Sequence, residues 1–149
     1  MRAVVQRTKY TKVLVDNEVK GQINQGLVVL LGIKKGDTPK EAEYLMDKII
    51  NLRIFSDQQG KMNSSLIDIK GDVLLVSQFT LYGDVRKGRR PSFTSAELPE
   101  RANELFNYCT NFLHKLGIKV EKGVFGAEMQ LIIENDGPVT ILLDSEKQF

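Results

Sequence analysis

The sequence predicts a mixed α/β fold, in which β-rich sheets or a partial barrel are covered on one side by two amphipathic helices. Three observations carry this expectation. Short apolar runs of strand length crowd both ends of the chain, two stretches between them keep helical spacing, and the resulting order is β-rich, α, β, α, β-rich. The 149 residues, 42% apolar and 27% charged, fit one domain spanning 1–149, with no repeat, low-complexity tract or linker to divide it.

Val4 and Val5, then Val13 and Val15 in alternation with polar neighbours, then Val19 to Ile23, read as short antiparallel strands. Asp16-Asn17 supplies the turn between the last two. Leu27 to Leu31 is a continuous apolar run ending at Gly32, as expected of a strand buried on both faces. A helix follows, because Thr38 is a good N-cap, Pro39 occupies the first helical position, and Glu41 completes a Thr-x-x-Glu capping box. Ala42, Leu45, Met46, Ile49 and Leu52 form its buried face.

Asp72 to Phe79 reads as a second buried strand. Pro99 to Leu116 reads as a second amphipathic helix, with Ala102, Leu105, Phe106, Cys109, Phe112, Leu113 and Leu116 inward and Gly117 as its stop. Three strands close the chain, around Lys119 to Glu121, Met129 to Glu134 and Val139 to Leu143, with Asn135-Asp136-Gly137-Pro138 as the sharp connection between the last two.

Composition removes several function classes. One cysteine, Cys109, and one histidine, His114, permit neither an intrachain disulfide nor a Cys/His zinc cluster, which fits a reducing, cytoplasmic setting. The first residues, MRAVVQRTKY, lack an apolar leader core, and the apolar run Leu27 to Ile33 falls far short of the about 20 residues of a membrane helix. No membrane partner is expected. Neither Walker nor Rossmann glycine loops occur, and no carboxylate cluster matches a metal motif, so no cofactor and no metal are expected.

The nucleophilic machines are tested by elimination. His114 lies off the apolar face near a helix end, where a solvated residue favoured by the helix dipole is the simplest reading. Cys109 lies on the inward face and reads as a small core hydrophobe. An enzyme built from this chain must therefore work mainly with backbone groups, hydroxyls and its substrate.

Three segments stand apart. At Ser77-Gln78-Phe79-Thr80 a buried apolar strand turns polar at its C-terminal end, where α/β sheets commonly place ligands and where successive N–H groups can polarise a carbonyl. The plain structural reading, a strand end satisfied by hydroxyl hydrogen bonds, fits that feature equally well. Asn135-Asp136-Gly137-Pro138 reads by default as a turn, since only about 5–6% of X-Pro bonds in folded proteins are cis. Its functional alternative is a rigid backbone hook presenting two carbonyls. Finally Arg86, Lys87, Arg89 and Arg90 crowd into five residues of a chain whose net charge is only +2. Such runs are usually solvated loops, but this one follows the polar strand end and could meet phosphate.

Taken together, these residues resemble the D-aminoacyl-tRNA deacylases, also called D-tyrosyl-tRNA deacylases. The strings Met1-Arg2-Ala3-Val4-Val5-Gln6-Arg7, Asn51-Leu52-Arg53-Ile54-Phe55, Ser77-Gln78-Phe79-Thr80-Leu81-Tyr82-Gly83, Arg86-Lys87-Gly88-Arg89-Arg90-Pro91-Ser92-Phe93, Phe125-Gly126-Ala127 and Asn135-Asp136-Gly137-Pro138-Val139-Thr140 look like that family's, in its order. The resemblance runs from Met1 to about Asp144, leaving Ser145 to Phe149 unassigned.

The resemblance implies a cytoplasmic homodimer that hydrolyses the ester between a D-amino acid and the 3′ end of tRNA, with mischarged glycyl-tRNA as a second substrate and the aminoacyl-tRNA 3′ end as partner. It implies a cis Gly137-Pro138 pair inserted into the partner subunit's active site as a chiral filter, oriented by Arg7. Ser77, Gln78, Phe79 and Thr80 would then form the site floor, with the Phe79 and Thr80 N–H groups holding the ester carbonyl. A nucleophilic role for Thr80 lacks any identifiable base. In its place the ribose 2′-OH of the substrate would assist attack. A non-catalytic RNA-binding module and a hydrolase of small esters are the competing readings.

Overall fold

The computed structural model describes residues 1–149. Its frame is one long strand, β1 (Arg2–Val15), where the sequence predicts two shorter ones. β1 continues through the polar Gln6–Tyr10 region because Thr8 covers the irregularity there. The Thr8 hydroxyl, fully buried, donates to the carbonyl of Tyr10 or of Glu134 (2.7 and 2.9 Å) and accepts from the Tyr10 N–H. A shift in register is thereby satisfied internally rather than by water.

The hairpin into β2 (Glu18–Ile23) turns at Asp16-Asn17 as expected, both residues having positive φ (51° and 62°), the geometry of a type I′ turn. β3 (Gly26–Gly32) pairs with the first half of β1, whereas β2 pairs with its second half. β6 (Asp72–Ser77) adds in parallel to β3, and β7 (Val120–Lys122) adds in parallel to β6. Along its other edge β1 pairs with β8 (Gln130–Asp144) over almost its full length, so the sheet curls into a nearly closed barrel.

β8 is a single strand where the sequence reading placed two strands and a sharp connection. The Gly137–Pro138 peptide within it is cis, and the strand keeps its direction because Asn135 substitutes for the missing ladder bonds. Asn135 Oδ1 accepts from Val139 N–H at 2.8 Å, and its Nδ2 donates toward Val139 O and Thr140 Oγ1.

Two helices pack on one face. α1 (Pro39–Ile50) begins with the expected capping box, Thr38 Oγ1 accepting from Lys40 N–H and Glu41 reaching back to Thr38 N–H at 2.8 Å. It ends before Leu52, which packs half-buried from the following turn. α3 (Pro99–Lys115) buries Ala102, Leu105, Phe106, Cys109 and Leu113, but Leu116 is its C-cap and points to solvent at 48% exposure, a correction to the expected inward face. A short α2 (Leu66–Ile69) and the two-stranded β4 (Phe55–Ser56) and β5 (Met62–Ser64) fill the connection after α1.

Period-two burial sorts the core. Leu27, Val29 and Leu31 of β3 and Val73 and Leu75 of β6 face the helices, while Leu74 and Val76 join Val13 and Ile23 in a smaller cluster on the other face. No helix is long and apolar enough to cross a membrane.

Candidate active site

β6 ends at Ser77, earlier than the sequence reading placed it, and Phe79–Tyr82 form a 3₁₀ turn. The Gln78 N–H donates to Leu31 O at 2.8 Å, continuing the ladder with β3 by one bond before the chain turns. Within the turn the bonds begin at Leu81 N–H, which donates to Gln78 O (3.2 Å), followed by Gly83 N–H to Thr80 O (2.9 Å). The N–H groups of Phe79 and Thr80 therefore have no acceptor inside the turn. The Gln78 side-chain amide donates to the Thr80 hydroxyl.

Beside this turn lies a cavity of about 600 Å³. Ser77, Gln78 and Phe79 line one wall, the segment Phe93 to Ala102 supplies another, and Phe125, Gly126, Ala127, Met129 and Leu131 a third. Phe79 is 58% exposed and meets Phe93 edge-on, their ring centroids 5.0 Å apart. Twelve of the eighteen lining residues are hydrophobic, as suits an organic ligand with few polar anchors. Its only charged members are Lys35 and Glu97, and the Glu97 carboxylate already accepts from Gly36 N–H (3.3 Å) and Leu98 N–H (2.8 Å).

Thr80 is exposed and does not line the cavity, so the four expected floor residues divide three to one. His114 is exposed and Cys109 fully buried, both away from the cavity lining, and burial pushes the Cys109 thiol up to about 12. No three His, Cys, Asp or Glu side chains converge as metal ligands.

Gly137 and Pro138 are exposed and lie outside the cavity lining of their own chain. Arg7 holds this segment from below. Its Nε donates to Asp136 O at 3.0 Å and lies 3.2 Å from Asp136 Oδ2, and its Nη1 donates to Ile54 O at 2.5 Å. The guanidinium is packed so closely that a Cβ on Gly137 would stand 3.0 Å from Arg7 Nη2 and 2.8 Å from Val139 Cγ2, at a φ of +133° that side chains rarely adopt.

The basic residues Arg86, Lys87, Arg89 and Arg90 sit on an exposed loop closed by paired hydrogen bonds between Asp84 and Ser92. Arg86 folds back on Asp84, with Nη2 at 2.7 Å and Nε at 2.9 Å from the carboxylate, and these bonds hold the Asp84 carboxyl down to about 2. None of the four lines the cavity. What sequence reasoning missed is the apolar wall from Phe93, Leu98, Pro99 and Ala102, which comes together only through tertiary packing.

Comparison with known proteins places the chain in a family. A family model described as D-Tyr-tRNA(Tyr) deacylase matches residues 4–144. A protein of Syntrophomonas wolfei named D-aminoacyl-tRNA deacylase is 66% identical across the whole of both chains, and one of Aquifex aeolicus with the same name is 56% identical over 99% of each. A solved structure titled c-Myc DNA Unwinding Element Binding Protein superposes with a TM-score of 0.91 at 44% identity, covering 97% of this chain and 98% of that one. A probable eukaryotic D-amino acid tRNA deacylase shares the fold at 20% identity, with a TM-score of 0.80 and coverage of 95% and 97%. A full-length match of this kind, on a chain whose polar strand end opens into an apolar cavity, leads to one assignment: the chain belongs to the D-Tyr-tRNA(Tyr) deacylase family.

Proposed function

We propose that this protein hydrolyses the ester joining a D-amino acid to the 3′ end of tRNA, in the cytoplasm, and that it spares the L-ester. The observation that carries this reading is a cavity lined by Ser77, Gln78 and Phe79, with no histidine and with its one carboxylate, Glu97, engaged by two backbone N–H groups, next to two N–H groups without acceptors in their turn. Such a site suits a substrate that needs its carbonyl polarised and brings its own assisting hydroxyl. The Phe79 and Thr80 N–H groups hold the ester oxygen as negative charge develops on it. The ribose 2′-OH beside the ester assists the attack of water, whose oxygen bonds to the acyl carbon as the 3′ oxygen leaves with a proton. Thr80 contributes its backbone, while its hydroxyl is occupied by Gln78.

Chirality is read by Gly137 and Pro138 of a second copy. Supporting this is their exposure outside their own cavity, on a segment fixed by Arg7 and Asn135. Two backbone carbonyls presented toward the substrate Cα crowd an L side chain and admit only hydrogen there, so every D side chain passes and glycine passes too. The homodimer is thus part of the active site.

The test is hydrolysis of matched D-Tyr-tRNA and L-Tyr-tRNA, with and without chelator. Rapid loss of the D-ester alone is expected, and equal cleavage of both would remove the filter. The exposed basic loop favours one alternative, a nucleic-acid-binding module without catalysis, which would bind tRNA in a salt-dependent way and leave its ester intact.

A further inference from the structure

We propose that Lys35 binds the phosphate on the 5′ side of the terminal nucleotide and thereby sets how the ester enters the cavity, a role that rests on the deacylase reading above. The substrate end is an aminoacyl nucleoside whose only other ionisable group is the cationic α-amine, and its one anion is the phosphodiester at its 5′ oxygen. A mostly apolar cavity accepts the nucleoside, but a phosphodiester taken into it would lose hydration without compensation. The anion must stay at the mouth, where a cation can meet it.

Lys35 is the single cation among the residues lining the cavity. None of the ion pairs in the molecule includes it, and its ammonium makes no hydrogen bond to another residue. The preceding Lys34, by contrast, is spent on Glu146. The nearby carboxylate, Glu97, is occupied by the Gly36 and Leu98 N–H groups, which leaves the Lys35 charge available.

The backbone fixes the base of that side chain. Lys35 N–H donates to Ser95 O at 3.0 Å, Glu97 N–H donates to Ile33 O at 2.9 Å, and Lys34 bridges Ala96 between them. Lys34 N–H also donates to Asp37 Oδ2 at 2.7 Å, which tightens the bend after β3. The segment bearing Lys35 is thus stitched to the segment forming one cavity wall. The four basic loop residues line no part of the cavity and are left for more distant phosphates.

The experiment uses two non-hydrolysable probes, the amide analogue of the D-tyrosyl ester on adenosine with and without a 5′-phosphate, titrated calorimetrically into the intact protein. Wild type should bind the phosphorylated probe about two- to fivefold more tightly, the scale of one exposed ion pair. The gain should shrink as salt is raised, because added ions screen an exposed pair. Lys35→Met should erase both the gain and its salt dependence, while Arg89→Ala/Arg90→Ala keeps them. A phosphate that brings no gain, or a gain that survives Lys35→Met, overturns the assignment to Lys35. Failure of wild type to bind either probe overturns instead the identification of the cavity as the terminal-nucleoside site, and the role of Lys35 falls with it.

Discussion

Replacing Arg7 with Met removes the guanidinium that packs against Gly137 while keeping most of the apolar stem. Two charged hydrogen bonds disappear, to Asp136 O at 3.0 Å and Ile54 O at 2.5 Å, together with the 3.2 Å pairing to Asp136 Oδ2. Bonds from a charged donor are worth about 1.5–3 kcal/mol each, and the carbonyls left behind recover part of that from water. Lys9, 3.6 Å from Asp136 Oδ1, still partners the carboxylate, so the ion pair adds little to the loss. A net cost of about 2–4 kcal/mol follows. For a chain of this length 1 kcal/mol moves Tm by about 2–4 °C, so calorimetry should show a fall of about 5–15 °C. The same variant should lose chiral discrimination, because the guanidinium fixes the carbonyl of Asp136 next to the proposed filter. The ratio of D- to L-Tyr-tRNA hydrolysis should fall by about tenfold, the equivalent of 1.4 kcal/mol in fixation. A Tm within about 2 °C of wild type, or an unchanged ratio in a destabilised variant, would refute the link from Arg7 to the hook.

Thr80→Ala should keep D-Tyr-tRNA hydrolysis within about tenfold of wild type, and a loss of several orders of magnitude in a folded protein would restore the hydroxyl as nucleophile. His114 lies away from the cavity lining, so His114→Ala should leave the pH–rate profile unchanged. Gly26→Ala would put a Cβ 2.0 Å from Asp72 O, an obstacle of backbone in the β3–β6 pairing, and should cost more than the about 1–3 kcal/mol of ordinary overpacking, read as collapse of soluble yield. The Asp84–Arg86 contact should be complete above the ordinary aspartate range, about 3.9, and be lost only as pH falls through about 2, visible in a carboxyl carbon NMR titration. Cys109, with its thiol pushed up to about 12, should resist iodoacetamide at pH 8 until the protein is unfolded.

The sequence was most legible where one local cause decides the outcome. Thr38 and Glu41 form the capping box that their spacing announces, and Asp16-Asn17 adopts the left-handed pair that a tight hairpin requires. Ser65 and Asp68 form a second capping box and could have revealed α2 by the same rule. Legibility failed where tertiary partners replace local ones. Asn135-Asp136-Gly137-Pro138 has the composition of a turn, yet the Asn135 side chain bridges it and β1 pairs on either side, so the strand runs on. Leu116 keeps the helical spacing but falls at the cap, past the last residue that the sheet covers. Among site residues, the polar strand end was visible as a change of character at Ser77. The cavity itself was not, since Phe93, Pro99, Ala102 and Phe125 belong to separate segments and meet only in the folded chain.

The pairing of β1 with β8 has a consequence for the order of assembly. Arg2 faces Asp144 and Leu14 faces Gln130, so the molecule's longest ladder joins segments more than a hundred residues apart in sequence. Closing so large a loop is entropically slow, and the ladder rewards it only once the ends have met. The pairing of β3 with β6 and the packing of the helices on them need no such closure. During synthesis these parts can gather while the last strand is still being made, so two of the cavity's three walls precede the hook. A chain interrupted at that stage would expose the outer edge of β1 as an unpaired template, and a second chain's β8 could dock there in place of its own.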